Sequence, residues 1–204
     1  MENVRIAVLG GSFNPPHYGH LLVAREVLKN FECDEVWLLP CFKQAEGKPL
    51  APAEDRLAML RLAWAELSPS LRKKIKVKDF EIRLLRRKNY TADTVRFLQK
   101  RFPQHSFYWV FGSELVSGFP RWVKWRELRK LIPLLIYPRP GVRKPSKKFL
   151  EKLGAKLVWL PWTVERSGIS STLVRKLLRS DSAKARALVP PGVFGYLVKR
   201  KLYG

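Results

Sequence analysis

A strand-to-helix turn near the amino terminus constrains what this chain can fold into more than any other stretch. Residues 4–9 form an apolar run typical of a strand inside a parallel sheet, and residues 21–28 repeat apolar side chains at helical spacing. Residues 10–20 between them read GGSFNPPHYGH. The glycines let the backbone approach a ligand, Ser12 and Asn14 add polar groups, and the following helix directs unpaired N–H groups at the turn. The turn therefore predicts an anion site, and a phosphate fits best.

The rest of the chain continues the alternation of strands and helices. Further strands are predicted over residues 35–40, 75–82, 106–111, 134–137 and 156–160. Helices are predicted over residues 53–67, 91–101, 122–130, 146–153, 170–179 and 191–202, and another directly after residues 112–114. This alternation predicts the α/β class: a doubly wound, Rossmann-like parallel sheet in a single domain, residues 1–204, with a helical carboxyl-terminal end. Ligands of such sheets bind at the carboxyl ends of the strands.

The charge of the chain is strongly positive. It has 40 Lys and Arg against 17 Asp and Glu, a formal net charge of +23. Residues 103–204 hold 21 of the basic groups and only 5 of the acidic ones. Polyanionic ligands are therefore expected, and weak, sequence-independent binding to nucleic acid is a further expectation. Cys33 and Cys41 form neither a disulfide framework nor a metal-binding spacing, which favours a cytoplasmic location, and no membrane-spanning segment is expected.

A second candidate phosphate site lies near the carboxyl terminus. Residues 169–172 read ISST, which places three hydroxyl groups at the start of a predicted helix, and Arg175 follows about one turn later. A plainer interpretation is an ordinary capped helix, just as His17 and His20 could merely cap the first one. The occurrence of both segments in one chain favours phosphate binding at each.

These two segments resemble a known family. Residues 10–20 are similar to the HxGH signature of the nucleotidylyltransferase superfamily, in the form found in the nicotinate/nicotinamide mononucleotide adenylyltransferases. Residues 169–175 resemble the same family's ISSTxxR motif. The resemblance covers nearly the whole chain. It implies that ATP and a pyridine mononucleotide form the dinucleotide and pyrophosphate, a reaction of NAD biosynthesis. Nicotinate and nicotinamide stay open as the substrate base, and so does a homo-oligomeric state.

The resemblance also implies roles for individual residues. His17, His20 and Arg175 would be catalytic, because they would bind the phosphates around the reacting phosphorus. The residues implied for ATP binding are Gly10, Gly11, Ser12, Phe13, Gly19, Gly112, Glu114, Ile169, Ser170, Ser171 and Thr172. Those implied for mononucleotide binding are Asn14, Lys48, Tyr90, Thr91, Thr94 and Trp122. Mg²⁺ would be bound mainly through the phosphates of ATP, so no metal ligand is expected from the protein.

Several of these assignments leave alternatives open. Residues 90–94 match the family's YTxxT segment but equally fit a helix cap. Lys43 competes with Lys48 for the mononucleotide phosphate, because this loop departs from the commoner family pattern. Glu114 stands where the family has an aspartate that contacts the adenosine ribose, and its longer side chain leaves that contact open. Trp122 matches the family tryptophan that stacks on the pyridine ring.

Other functions remain alternatives at this point. The nearest is another adenylyltransferase of the superfamily, such as one acting on phosphopantetheine; the YTxxT segment and Trp122 weigh against it. A class I tRNA synthetase shares a similar turn, but such an enzyme is normally much longer and carries a Lys-Met-Ser-Lys-Ser type loop, which this sequence lacks. A basic nucleic-acid-binding module on the same fold is the alternative from a different functional class, and retention of both phosphate motifs weighs against it.

Overall fold

The sheet is all-parallel and has the strand order β3-β2-β1-β4-β5-β6. The computed structural model describes residues 3–43, 47, 49–84, 90–161 and 168–203. The strands are β1 (Arg5–Gly11), β2 (Glu35–Pro40), β3 (Ile75–Val77), β4 (Ser106–Gly112), β5 (Leu134–Tyr137) and β6 (Leu157–Trp159). Every neighbouring pair runs in the same direction. The predicted fold class, a doubly wound parallel sheet, is confirmed.

Helices cover both faces of this sheet. They are α1 (Tyr18–Asn30), α2 (Ala53–Ala65), α3 (Pro69–Lys74), α4 (Phe80–Arg83), α5 (Thr91–Arg101), α6 (Trp125–Leu131), α7 (Lys147–Leu153), α8 (Ser171–Ser180), α9 (Ser182–Leu188) and α10 (Pro191–Lys199). Side chains along β1 alternate between two cores, because successive residues of a strand point to opposite faces. Ala7 packs with α1, α2, α8 and α10, whereas Ile6 and Val8 pack with α5, α6 and α7.

The order of the strands creates a crevice at one edge of the sheet. β1 lies between β2 and β4, so the chain leaves β1 toward one side of the sheet and returns through β4 on the other. In a doubly wound sheet the connections diverge at such a switch point, and the space outside the carboxyl ends of the strands is left for a ligand. The loops that follow β1 and β4 border this space.

The structure corrects several predicted boundaries. The strand predicted over residues 75–82 ends at Val77, and the second half is the short helix α4, which buries Glu81 and Ile82. The helix predicted after Glu114 is a single 3₁₀ turn, Ser113–Leu115. The helix predicted from Trp122 begins at Trp125, because a 3₁₀ turn containing Pro120 and a left-handed Lys124 come first.

Two short helices were not predicted. The first turn of α3 is capped by Ser68, whose hydroxyl oxygen accepts from the backbone N–H of Leu71. The first turn of α9 is capped by Asp181, whose carboxylate accepts from the backbone N–H of Lys184. Both sequences are shorter than two helical turns and carry no clear apolar periodicity, so the caps are their main signal. None of the described helices is long and apolar enough to cross a membrane.

Candidate active site

A cleft of about 210 Å³ opens at the carboxyl ends of β1, β4 and β5. Residues from five elements and their loops border it: Leu9, Gly10, His17, Gly19, His20, Val23, Phe111, Gly112, Glu114, Leu115, Tyr137, Arg139, Ser170 and Ser171. The two segments that the sequence singled out for phosphate binding therefore meet here, although about 150 residues separate them in the chain. His17 and His20, which the sequence predicts to be catalytic, border the same cleft as Ser170 and Ser171 at the start of α8.

His17 and His20 occupy the start of α1 as a stacked pair. His17 is the N-cap residue of the helix, and the backbone N–H of His17 donates to Nδ1 of His20 over 3.2 Å. The two ring centroids are 3.7 Å apart. Because Nδ1 of His20 accepts this hydrogen bond, a neutral His20 carries its proton on Nε2. One ring of the pair therefore has an N–H donor on the side away from the helix backbone.

Both histidines are neutral at pH 7. Burial, and to a smaller extent the guanidinium of Arg139, lower the pKa of His17 to about 3. Burial, then His17 and Arg139, lower the pKa of His20 as well. The His17 side chain is almost completely buried, and its Nδ1 has no hydrogen-bond partner. The site thus offers neutral imidazole donors beside an arginine, instead of two more cations.

A buried arginine from α2 holds the loop that follows β1. Arg56 is fully buried, and its guanidinium donates to three backbone carbonyl oxygens: Ser12 at 2.7 Å, Phe42 at 2.9 Å and Ala51 at 3.0 Å. These acceptors lie in the loops that follow β1 and β2, so one side chain fixes both loops. The sequence analysis did not predict this role of Arg56. Its signal was present, because Arg56 occurs on the helix face that Met59 and its apolar neighbours bury.

Other distant residues bind the same loop. Nη1 of Arg175 donates to the backbone oxygen of Asn14 over 2.7 Å, and Oγ of Ser171 donates to that of Pro15 over 2.8 Å. Oδ1 of Asn14 accepts from the backbone N–H of Ala51 at 3.0 Å and from the hydroxyl of Tyr203. The helix α8 is thereby attached to the loop before α1. This attachment brings the two predicted phosphate segments into one site.

Not every residue of the first segment faces the cleft. Phe13 is fully buried, with a left-handed backbone at φ 47° and its ring centroid 4.7 Å from that of His20. Ser12 offers its carbonyl oxygen to Arg56, and Gly11 pairs with Pro40 of β2. Gly10 does border the cleft. A Cβ at Gly10 would overlap the ring of Trp109, so the neighbouring strand also requires a glycine there.

Arg139 and Tyr137, at the end of β5, were missed by the sequence reading. The backbone N–H of Arg139 donates to Oγ of Ser113 over 2.9 Å, and its Nε lies 3.7 Å from Oε1 of Glu114. The sequence was interpreted there only as a turn after a strand. A usable signal existed, because a basic residue just after a parallel strand lies at the same sheet edge as the turn after β1. Arg139 adds a cation to the cleft.

The turn after β4 places Glu114 at the border of the cleft. Its carboxylate packs against Gly112, where a Cβ would overlap it. The side chain is 42% exposed and its nearest cation is Arg139. The longer side chain of a glutamate is therefore accommodated by the absence of a side chain at Gly112.

The residues before and within α8 combine structural bonds with cleft positions. Ser170 is the N-cap residue of α8, and its Oγ accepts from the backbone N–H of Leu173 over 3.1 Å. Nη2 of Arg175 contacts Oγ1 of Thr172 at 3.2 Å. Ile169 is half-buried and packs against the core. The interpretation of residues 169–175 as an ordinary capped helix is therefore compatible with their interpretation as a phosphate site.

The predicted mononucleotide residues are spread more widely. Trp122 is half-buried, and its ring centroid lies 5.7 Å from that of Phe111 and 5.6 Å from that of Phe119. Lys48 lies outside the described residues, whereas the exposed Lys43 has its Nζ 5.7 Å from the ring centroid of Phe42. The structure therefore gives a position for Lys43 but not for its competitor.

The segment at the start of α5 is partly occupied by structural contacts. Tyr90 is the N-cap residue and Thr91 the first residue of the helix. Thr94 is fully buried, and its Oγ1 donates to Oε1 of Glu81 over 2.7 Å. Burial raises the pKa of Glu81, and the hydrogen bond from Thr94 opposes that shift. The hydroxyl hydrogen of Thr94 is thus already used within the protein.

Comparison with known proteins gives a consistent result. Residues 8–177 match the family described as cytidylyltransferase-like. The chain is 34% identical over 208 residues to a protein of Synechococcus sp. (strain JA-2-3B'a(2-13)) named "Probable nicotinate-nucleotide adenylyltransferase", covering 100% of this chain and 98% of that protein. An Oceanobacillus iheyensis protein of the same name is 33% identical over 200 residues, covering 98% and 96%. A solved structure, "Plasmodium falciparum nicotinic acid mononucleotide adenylyltransferase complexed with NaAD", matches with a TM-score of 0.83 at 25% identity and covers 98% of each chain.

Proposed function

We propose a reaction for this cleft from one premise: the chain belongs to the cytidylyltransferase-like family and, within it, to the nicotinate-nucleotide adenylyltransferases. The resemblance indicated by the sequence motifs is thereby confirmed. The protein is an adenylyltransferase of NAD biosynthesis, which joins ATP and nicotinate or nicotinamide mononucleotide into the dinucleotide and releases pyrophosphate. The observation that carries the assignment of this chemistry to the cleft is the neutral histidine pair at the start of α1, facing the residues before α8.

The chemistry needs positioning more than it needs a base. An oxygen of the mononucleotide 5′-phosphate attacks the α-phosphorus of ATP in line; the new P–O bond forms as the bond to the pyrophosphate oxygen breaks, and the electron pair leaves with pyrophosphate. The attacking phosphate is already an anion near neutral pH, so no proton has to be removed from it. The protein must therefore align two polyanions and stabilise charge on the bridging and leaving oxygens.

The residues of the cleft suit these tasks. The unpaired backbone N–H groups at the start of α1 and the Nε2–H of His20 can donate to phosphate oxygens without a change of protonation. Arg139 supplies positive charge from the end of β5. Arg175 is not among the residues that border the cleft, but its bonds to Asn14 and Thr172 hold its guanidinium beside the loop after β1 before ATP arrives. We assign it to the pyrophosphate end.

The donor set of the cleft fits a Mg²⁺ ion held by substrate phosphates. Glu114 is the carboxylate that borders the cleft, and within the described ranges no group of three or more His, Cys, Asp or Glu is arranged to hold a metal ion. When bound, Mg²⁺ would neutralise charge on the phosphates of ATP. Glu114 has a second assignment, which is to accept hydrogen bonds from the adenosine ribose.

We assign the mononucleotide to Asn14, Trp122 and the start of α5, none of which is among the residues that border the cleft of about 210 Å³. The half-buried ring of Trp122 would provide an aromatic face for the pyridine ring, and its contacts with Phe111 and Phe119 would keep that ring in place. Lys48 or Lys43 would meet the 5′-phosphate. Tyr90 and Thr91 would form the wall behind the base, and Thr94, which is fully buried and bonded to Glu81, would support that wall from inside the protein. A cytoplasmic location is part of this proposal, and the two free cysteines support it.

The test is an assay of purified protein with ATP and each mononucleotide in turn. Pyrophosphate release and dinucleotide formation are followed together, and the ratio of the two kcat/KM values decides between nicotinate and nicotinamide. Activity with one of them that depends on Mg²⁺ and is lost in His20→Ala supports the reaction. Release of pyrophosphate without either dinucleotide, or activity with phosphopantetheine instead, would contradict it.

A second binding function is favoured by the exposed charge on the last three helices. Seven exposed cations lie on or beside α8, α9 and α10: Lys176, Arg179, Lys184, Arg186, Lys199, Arg200 and Lys201. Arg186 and Lys199 also flank a shallow groove with an apolar floor that includes Phe194 and Val198. We propose that this surface binds nucleic acid weakly and without sequence preference, apart from the catalytic cleft.

Fluorescence anisotropy with a labelled duplex oligonucleotide tests this proposal. Binding at low salt should fall with a log–log slope of about −0.9 for each phosphate neutralised. Replacing Arg186 and Lys199 together with glutamine should weaken binding and leave adenylyl transfer unchanged. No detectable binding at low salt removes the proposal. Sedimentation of the same samples without oligonucleotide measures whether the protein forms a homo-oligomer.

A further inference from the structure

The segment that follows α10 turns back toward the catalytic loop. The backbone N–H of Leu202 donates to the oxygen of Leu197 over 3.1 Å, and Lys201 and Tyr203 have left-handed backbones with φ 49° and 68°. Such conformations are unfavourable for a non-glycine residue, so surrounding contacts must hold them. One contact is the bond from Nε of Arg179 to the backbone oxygen of Tyr203 at 3.0 Å.

This turn delivers the side chain of Tyr203 to Asn14. The two residues are 189 positions apart in the chain, and the tyrosine hydroxyl donates to Oδ1 of Asn14. The ring is half-buried against the core that contains α1, α2 and α8. Burial raises the pKa of Tyr203, while the nearby guanidinium groups of Arg56 and Arg175 act in the opposite direction. The hydroxyl therefore keeps its proton at neutral pH and is available as a donor.

The consequence is a fixed orientation of the Asn14 amide. Its Oδ1 accepts from both Tyr203 and the backbone N–H of Ala51, while its backbone oxygen accepts from Arg175. An amide whose oxygen receives two donors has its NH₂ group directed the opposite way. Asn14 is 3% exposed, and both side-chain hydrogen bonds that it forms with described residues are accepted by Oδ1. An oxygen of a ligand can therefore accept from Nδ2.

We propose that Tyr203 is a positioning residue, which orients Asn14 so that Nδ2 donates to an oxygen of the bound mononucleotide. The inference rests on the proposed function and deepens it, because it names how one substrate contact is held. Tyr203 itself touches neither substrate. Its effect should therefore appear in the affinity for the mononucleotide and should depend on the presence of Asn14.

The chain offers a matched control for removal of the hydroxyl. Tyr196 lies on α10, and its hydroxyl donates to Oδ1 of Asp55 on α2 over 2.7 Å, so it also ties the carboxyl-terminal region to the core. Tyr196→Phe removes one hydroxyl and one side-chain hydrogen bond, as Tyr203→Phe does. Only the second substitution releases Asn14. A purely structural role of Tyr203 would make the two variants alike.

The kinetic test compares these variants at saturating ATP and varied mononucleotide. Tyr203→Phe should raise KM for the mononucleotide by roughly three- to tenfold, the scale of one hydrogen bond, with KM for ATP unchanged. Tyr196→Phe should leave both KM values within about twofold of wild type. Thermal unfolding shows whether both proteins are folded at the assay temperature. An equal KM in Tyr203→Phe and wild type would overturn the proposal.

A double-mutant cycle tests whether Tyr203 acts through Asn14. Asn14→Ala removes the amide, and adding Tyr203→Phe to that variant should then change KM for the mononucleotide by less than about twofold. If Tyr203→Phe has the same effect with and without Asn14, it acts by another route and the proposal is wrong. The conservative substitution Asn14→Gln keeps an amide but moves it by one methylene. Its KM for the mononucleotide should therefore also exceed that of wild type.

A measurement independent of activity separates this proposal from the proposed reaction. The sequence has four asparagines, at positions 3, 14, 30 and 89, so protein labelled with ¹⁵N at asparagine gives four side-chain NH₂ pairs by NMR. Tyr203→Phe should move the Asn14 pair, Tyr196→Phe should not, and addition of mononucleotide should move it in wild type. A protein that makes no dinucleotide yet shows these shifts refutes the reaction alone. An Asn14 pair unmoved by both Tyr203→Phe and the mononucleotide overturns the positioning role.

Discussion

Two of the loops that border the cleft, those after β1 and β4, are held in different ways. The loop after β1 is held by side chains from distant parts of the chain: Arg56 of α2, Arg175 of α8 and Tyr203 beyond α10. The segment after β4, residues 113–124, is held mostly by its own neighbours. Its two 3₁₀ turns close bonds between residues three apart, and the rings of Phe119 and Trp122 pack within it, tilted by 59°.

This difference matches the task that we propose for each loop. Phosphate oxygens require donors at fixed distances, so the loop after β1 needs several directional bonds to hold one conformation. An aromatic face for a pyridine ring and a carboxylate for a ribose tolerate small displacements, so local packing is sufficient. Substitutions remote in sequence should therefore disturb the first loop strongly, whereas the second should respond mainly to changes within itself.

The largest expected effect comes from Arg56→Met, which removes three bonds to the first loop and its neighbours. Its three carbonyl acceptors would be left without this donor in a buried site, and the free energy of unfolding should fall by about 4 kcal/mol. The matched control is Arg61→Met on the same helix, where a half-exposed side chain pairs with Asp79, and the loss should be below about 1 kcal/mol. Urea unfolding measures the free energy of unfolding of both variants. Equal losses would contradict the role of Arg56 in holding the two loops.

His17→Ala and His20→Ala should each lower kcat by roughly 10²-fold or more, because each removes part of a donor set for the transition state. The third histidine, His105, lies away from the cleft and accepts from the backbone N–H of Val4 over 3.4 Å. His105→Ala should keep kcat within about twofold of wild type when circular dichroism shows an intact fold. Near-normal turnover in both cleft variants would exclude the phosphate role of the first loop.

The buried His17 makes stability depend on pH. Its pKa is about 3 in the folded protein and about 6.5 when unfolded, so the unfolded chain binds the proton first on acidification. The contribution of His17 to the free energy of unfolding is therefore fully present above about pH 6.5 and is lost progressively toward pH 3. Between pH 7.5 and 5.5 the free energy of unfolding should drop by about 1.4 kcal/mol on account of His17. His17→Ala should flatten this dependence in urea titrations; an unchanged slope would place His17 in a solvated environment.

The smallest expected effect concerns the second loop. If Glu114 accepts from the adenosine ribose, 2′-deoxy- or 3′-deoxy-ATP should lose about 1 kcal/mol in kcat/KM relative to ATP, and Glu114→Gln should reduce that discrimination. Glu151, an exposed residue of α7 paired with Lys147, gives the control, because Glu151→Gln should leave the discrimination unchanged. Equal use of ATP and both deoxy analogues by the wild-type protein would remove the ribose contact from Glu114.

The sequence predicted the parts of the fold that depend on near neighbours. The apolar runs of β1 and β4, the amphipathic spacing of α1 and α5, and the ends of the glycine-rich turn all involve residues a few positions apart, so a pattern reveals them. Where a short segment could form either a strand or a helix, the pattern of apolar residues predicted the wrong element. Residues 78–82 alternate like a strand, but an edge strand that pairs only with β2 ends at Val77 and the chain buries Glu81 through a helical turn instead.

By itself the sequence determined the class of fold, the family and the two segments that meet at the cleft, because each of them can be recognised from contiguous runs of residues. Only the tertiary structure decided that Arg139 enters the cleft, that Arg56 grips two loops, and that Tyr203 orients Asn14. The sequence can mark Arg56 and Arg139 as unusual residues, but it does not name their partners, which are far away in the chain, as Asn14 is from Tyr203. They exist because the strand order brings those partners to one edge of the sheet, where burial makes each unpaired polar group costly enough to select a single arrangement.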